Sequence, residues 1–124
     1  MKQKVLLIDD DPKILLLQKT YLEIEGFSVA HFDGASLDAF NDILNHDRPD
    51  VILMDVNLRH INGFTLLRNI RQSENYKAIP VVMTSGMDMG LRCQQEGANA
   101  FLMKPYMPDE LTRLLRSLLA AQLS

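Results

Sequence analysis

The chain has 124 residues, 47% of them hydrophobic and 23% charged, with a formal net charge of -3. That length suits one compact domain with a single core, and the apolar content excludes a disordered tail. The scattered Lys and Arg residues leave no electrostatic footprint for direct nucleic-acid binding.

The first residues lead into only four apolar positions before Asp9, too few for a signal peptide or a membrane span. A cytoplasmic protein with no membrane insertion is therefore expected. Cys93 is the single cysteine, so no disulfide can close within the chain and the usual zinc spacings are missing. His31, His46 and His60 stand far apart and read as surface or structural residues rather than metal ligands.

Five short apolar runs punctuate the chain, at 5–8, 29–32, 51–54, 80–83 and 100–103. Most lack polar alternation, as strands of a parallel sheet covered on both faces must. Between the first two, Asp11 can cap a helix with Pro12 in its first turn, carrying Ile14, Leu15, Leu17, Tyr21 and Leu22 and ending at Gly26. A second helix follows Asp33-Gly34, with Leu37, Phe40, Ile43 and Leu44 on one face. A third, with Phe64, Leu67 and Ile70, follows Asn62-Gly63. Gly86 and Gly90 weaken the segment 87–96, where only a short or mobile helix is expected. The last helix starts at Pro108 and carries Leu111, Leu114, Leu115, Leu118 and Leu119, a stripe for packing and too short for a zipper. Strands alternating with helices through right-handed crossovers give a doubly wound α/β sandwich with one parallel sheet.

In such a sheet ligands bind beyond the carboxyl ends of the strands, so the residues ending each run share a crevice. The first run ends in Asp9-Asp10-Asp11, the third in Asp55, the fourth in Thr84-Ser85 and the fifth in Lys104-Pro105. The second belongs to an edge strand away from it. Carboxylates drawn together repel unless a cation lies between them, and hard oxygen ligands select Mg2+ or Mn2+. Asp9 and Asp10 are read as that pair, and Asp11 as a helix cap. Asp55 can then attack phosphorus to form an acyl phosphate, while Lys104 and the Thr84 hydroxyl meet the phosphoryl oxygens.

These residues resemble the receiver domain of two-component response regulators, the chemotaxis-regulator-like family, over essentially the whole chain. The shared signature is an acidic pair after the first strand, an acceptor Asp after the third, Thr or Ser after the fourth and Lys-Pro after the fifth. The resemblance implies a flavodoxin-like (βα)5 fold with strand order 2-1-3-4-5. It makes Asp9 and Asp10 the Mg2+ pair, Asp55 the phosphorylation site, Thr84 the switch hydroxyl and Lys104 the phosphate-binding lysine. It also assigns the backbone carbonyl of Asn57 to the metal shell and Phe101 to the aromatic switch position. Pro105 falls where a cis bond is frequent in the family.

The implied partners are a histidine kinase or histidine phosphotransfer protein as donor and a downstream protein target, with no nucleic acid bound directly. Residues 1–124 are expected to form a single receiver domain without an output domain, catalysing its own phosphorylation and dephosphorylation rather than metabolism. Where the family commonly reads Pro-Gly after the acceptor, this chain has Arg59-His60. Two other readings are weighed. A haloacid-dehalogenase-like phosphatase would use Asp9 and Asp11 but leaves Asp55 idle, and a receiver-like docking module without phosphorylation would not need all five residues.

Overall fold

The computed structural model describes residues 2–122, in which five strands alternate with five helices. In chain order they are β1 (Lys4–Ile8), α1 (Pro12–Ile24), β2 (Ser28–Phe32), α2 (Leu37–Asp47), β3 (Val51–Asp55), α3 (Gly63–Gln72), β4 (Val81–Ser85), α4 (Gly90–Gln95), β5 (Ala100–Met103) and α5 (Pro108–Gln122). All strands pair in parallel in the order β2-β1-β3-β4-β5, as expected. Among the described residues no helix is long and apolar enough to cross a membrane.

The helix starts follow their local chemistry. The Asp11 carboxylate accepts from Lys13 N at 2.9 Å with Pro12 opening α1, and Asn62 Oδ1 accepts from Phe64 N at 2.8 Å at the head of α3. Each satisfies an amide that the first turn cannot pair. By contrast α4 has six residues and no side-chain cap, consistent with Gly86 before it and Gly90 as its first residue.

Strand alternation divides the core in two. Leu6, Ile8, Ile52, Met54, Val81 and Met83 pack under α2, α3 and α4, while Val5, Leu7, Val51, Leu53 and Val82 pack under α1 and α5. Cys93 is fully buried in the first cluster, a packing role. The expected inward face of α1 is only partly realised. Leu22 is buried and Leu15 and Tyr21 are partly so, but Leu17 is 73% exposed beside exposed Leu16 and Ile24. The run Ile14-Leu15-Leu16-Leu17 is apolar all round, so its periodicity does not select a stripe.

One glycine governs how closely α3 approaches the end of β3. Gly63 donates to Val56 O at 2.9 Å, and a Cβ there would lie 2.6 Å from Asp55 O and 2.9 Å from Val56 Cα. Neither atom can retreat without moving Asp55. Gly63→Ala is therefore expected to destabilise the fold by about 2 kcal/mol in urea unfolding, the usual cost of overpacking. An unchanged midpoint would mean that α3 shifts freely.

Candidate functional site: the carboxyl end of the sheet

Asp9 and Lys104 directly follow β1 and β5, as expected, whereas Asp55 and Thr84 lie inside their strands. Asp55 is the last residue of β3 and Thr84 lies within β4, the two being register partners. Continuing the alternation of each strand, Asp9, Asp55, Thr84 and Lys104 fall on the same face as Leu7, Leu53, Val82 and Leu102, the side covered by α1 and α5. Asp9, Asp55 and Thr84 are buried at 4%, 9% and 2% exposure, which is why polar residues can close apolar strands here.

Lys104 ties this group together. Its Nζ donates to Asp55 Oδ2 at 2.8 Å and to Asp9 Oδ2 at 3.3 Å, linking β5 to β3 and β1. Its backbone N donates to Ser85 O at 2.8 Å, and its peptide bond to Pro105 is cis. Burial alone would lower the Lys104 ammonium, but its bonds and charge contacts with Asp55 and Asp9 reverse that and hold it above its ordinary value. The remaining Asp55 oxygen, Oδ1, accepts from Asn57 N at 2.9 Å. Asp9 Oδ1 accepts from Asp11 N at 3.0 Å.

Among the described residues no three His, Cys, Asp or Glu side chains converge closely enough to hold a metal ion by themselves. Lys104 lies between Asp9 and Asp55, while Asp10 Oδ2 accepts from Arg59 N at 2.7 Å with Arg59 Nε at 3.8 Å. The acidic groups are partly compensated by the chain's own cations. Their chemistry still fits a hard divalent ion, since the donors are carboxylates and a backbone carbonyl and Asp9 lacks full compensation.

Other expectations resolve residue by residue. Asp11 is committed to capping α1, which leaves the dehalogenase-like reading without its acid. Phe101 pairs with Met83 and packs against the first cluster, on the opposite face from Thr84. A Cβ on Gly90 would touch its ring at 3.4 Å, so the start of α4 rests against Phe101, which also neighbours Leu102, the register partner of Thr84. Three residues, Ser85, Gln18 and Tyr106, make contacts beyond those expected from the sequence. Ser85 Oγ accepts from Asn57 Nδ2 and from Met87 N, each at 3.2 Å, and Gln18 Nε2 donates to Tyr106 Oη at 2.5 Å. Ser85 beside Thr84 was visible, but not its bond to Asn57, which comes from a loop 28 positions away.

Residues 5–116 match the sequence model of the response regulator receiver domain. This chain belongs to that family. Response regulator Rre1 of Synechocystis is 33% identical over 121 residues, covering 95% of this chain and 52% of the relative. The DNA-binding response regulator MtrA of Mycolicibacterium smegmatis is 34% identical, over 94% of this chain and 50% of its own. The receiver domain thus spans about half the length of the curated relatives it matches. Among solved structures, a putative response regulator from Chloroflexus aurantiacus superposes with a TM-score of 0.88 at 29% identity, covering 97% of this chain and 99% of that one. The receiver domain of sensor histidine kinase PA1611 from Pseudomonas aeruginosa, solved with a magnesium ion coordinated in its active-site cleft, gives 0.84 at 29% identity, covering 97% and 99%.

Within this receiver domain, burial is the largest influence on Asp9 and pushes its carboxyl up. Asp55 adds to the rise, and Asp11 N and Lys104 do not offset it. A carboxyl raised on folding contributes stability that is complete below its unfolded pKa and lost as pH rises through its folded pKa. Ionised Asp9 is thus unfavourable at neutral pH without a metal. Asp9→Asn is expected to unfold at higher urea than wild type at pH 7 in chelator, with the gap closing as pH falls below the carboxylate range. Equal stability at both pH values would contradict the raised Asp9.

Proposed function

We propose that this receiver domain takes a phosphoryl group onto Asp55 from a phosphohistidine of a histidine kinase or phosphotransfer protein in the cytoplasm. The observation that carries this reading is the convergence of Asp55, Asp9 and Lys104, with Thr84 in register beside Asp55. An Asp55 carboxylate oxygen bonds to phosphorus as the phosphorus–nitrogen bond breaks, and the bonding pair returns to the donor imidazole nitrogen. Lys104, now on Asp55 Oδ2, donates instead to a phosphoryl oxygen, and the Thr84 hydroxyl donates to another. A divalent cation, Mg2+ or Mn2+, held by Asp9, Asp10, Asp55 and the Asn57 carbonyl would supply the charge that neutralises those oxygens.

Two local changes carry the state outward. Moving Lys104 off Asp9 loosens the tie between β5 and β1, and drawing in Thr84 disturbs the β4–α4 segment against which Phe101 packs. Since α4 is short and uncapped, this is where a small rearrangement meets least resistance. The downstream protein target then reads the surface formed by α4, β5 and α5. Residues 1–124 act in this reading as one receiver domain.

The donor's docking face is suggested by an apolar groove that adjoins the site on the same side of the sheet. It is lined by Ile14, Leu17, Tyr21, Pro105 and Tyr106 and reaches Lys104 itself. Exposed Leu17 suits contact with a helix of the donor.

A small-molecule phosphodonor tests the chemistry separately from docking. With acetyl phosphate and Mg2+, intact mass of wild type should rise by one phosphoryl group while Asp55→Asn stays unmodified. Equal modification of both would remove Asp55 as the acceptor. Leu17→Glu should accept from acetyl phosphate at the wild-type rate but lose about tenfold in transfer from a phosphorylated protein donor, the expected cost of burying a charge at an apolar contact. Equal transfer from the protein donor would place docking elsewhere.

A further inference from the structure

The bond between Arg59 and Asp10 depends on the one place where the active-site loop departs from the family pattern. Where this chain has Arg59, the resemblance gives proline, which has no backbone N–H. Here that N–H donates to Asp10 Oδ2 at 2.7 Å across 49 positions of sequence. The guanidinium adds a second positive group, with Nε 3.8 Å from the same oxygen. Arg59 is thus a tethered cation on a carboxylate of the acidic pair, and proline could supply neither contact.

The surroundings allow the contact to open. The Arg59 side chain is 76% exposed, so no packing holds its guanidinium in place. Beside it lies an open hollow of about 300 Å3 lined by Asp10, Asn57, Arg59, His60 and Ile61. The loop carrying Arg59 also carries Asn57, whose N–H orients Asp55 and whose side chain reaches Ser85. A change at Asp10 is therefore felt along the segment that positions the acceptor.

We propose that Arg59 is a positioning residue that competes with the divalent cation for Asp10, so that this receiver domain binds Mg2+ more weakly than it would with proline at this position. The inference rests on the reading of Asp9 and Asp10 as the cation pair. Only molecules whose Arg59 has left Asp10 bind fully, and apparent affinity falls in proportion to that fraction. Arg59 thereby sets the cation level at which the acceptor becomes competent, and it ties the loop at 57–62 to occupation of the site.

Mg2+ titration of the full chain by calorimetry and by amide NMR tests this. Arg59→Ala removes the guanidinium and should tighten binding by about threefold, the scale of an exposed ion pair. Arg59→Pro also removes the N–H and should tighten it by about tenfold, while Arg59→Lys, which keeps both charge and N–H, should stay near wild type. In wild type the Arg59 amide resonance should move upfield on saturation as its carboxylate partner is withdrawn. Unchanged affinity in both Arg59→Ala and Arg59→Pro, or an Arg59 amide that stays in place at saturation, overturns the competition while leaving the cation site standing. An Asp10→Asn variant that binds Mg2+ as tightly as wild type overturns the cation-pair reading and this inference with it. Should Arg59→Pro fail to fold, Arg59→Ala and the wild-type amide shift decide the matter.

Discussion

The ammonium of Lys104 between the carboxylates of Asp55 and Asp9 is the contact on which the rest of this molecule turns. It joins the carboxyl ends of three strands in a part-buried setting, where charge interactions are stronger than in water but desolvation is costly. Without the ammonium, two buried carboxylates would face each other and the sheet end would carry unbalanced negative charge. With it, that charge is partly offset by a group able to turn from one oxygen to another. That arrangement is the one from which the proposed phosphoryl transfer would start.

Much of this was legible in the sequence because several local signals agreed. The apolar runs marked the strands, and Asp11, Pro12, Asn62 and Pro108 marked helix starts where the structure has them. Asp55, Thr84 and Lys104 could be brought together by the rule that a parallel sheet binds at its carboxyl edge. What escaped was set by contacts between remote segments. The placement of Asp55 and Thr84 inside their strands depends on burial supplied by α1 and α5, and the exposure of Leu17 depends on where α1 rests on the sheet. Arg59 was visible as a departure from the family pattern, but its grip on Asp10 needed the fold, since β3 and β1 must lie side by side first.

The fold also explains why stability is unevenly spread around the site. The central strands are buried along their length, and α3 is locked against β3 by the close approach at Gly63. On the far side of β4 stands α4, without a capping side chain and with Gly90 against Phe101. A perturbation at Asp55 meets rigid packing toward α3 and a weakly anchored helix beyond β4. Direction in such a response comes from contrast in stiffness, with no dedicated wire required.

The alternation of the strands has a consequence for how such a domain can diversify. Asp9, Asp55, Thr84 and Lys104 face the α1 and α5 side, whereas Phe101 and the packing of α4 lie on the other. The sheet therefore works as a bulkhead between two compartments. The groove proposed for the donor lies on the first side, α4 and Phe101 lie on the second, and α5 stands on the donor side although it belongs to the surface proposed for output. In the proposed reading, substitutions around α4 alter the reported surface without touching the donor groove, whereas those on α5 bear on both.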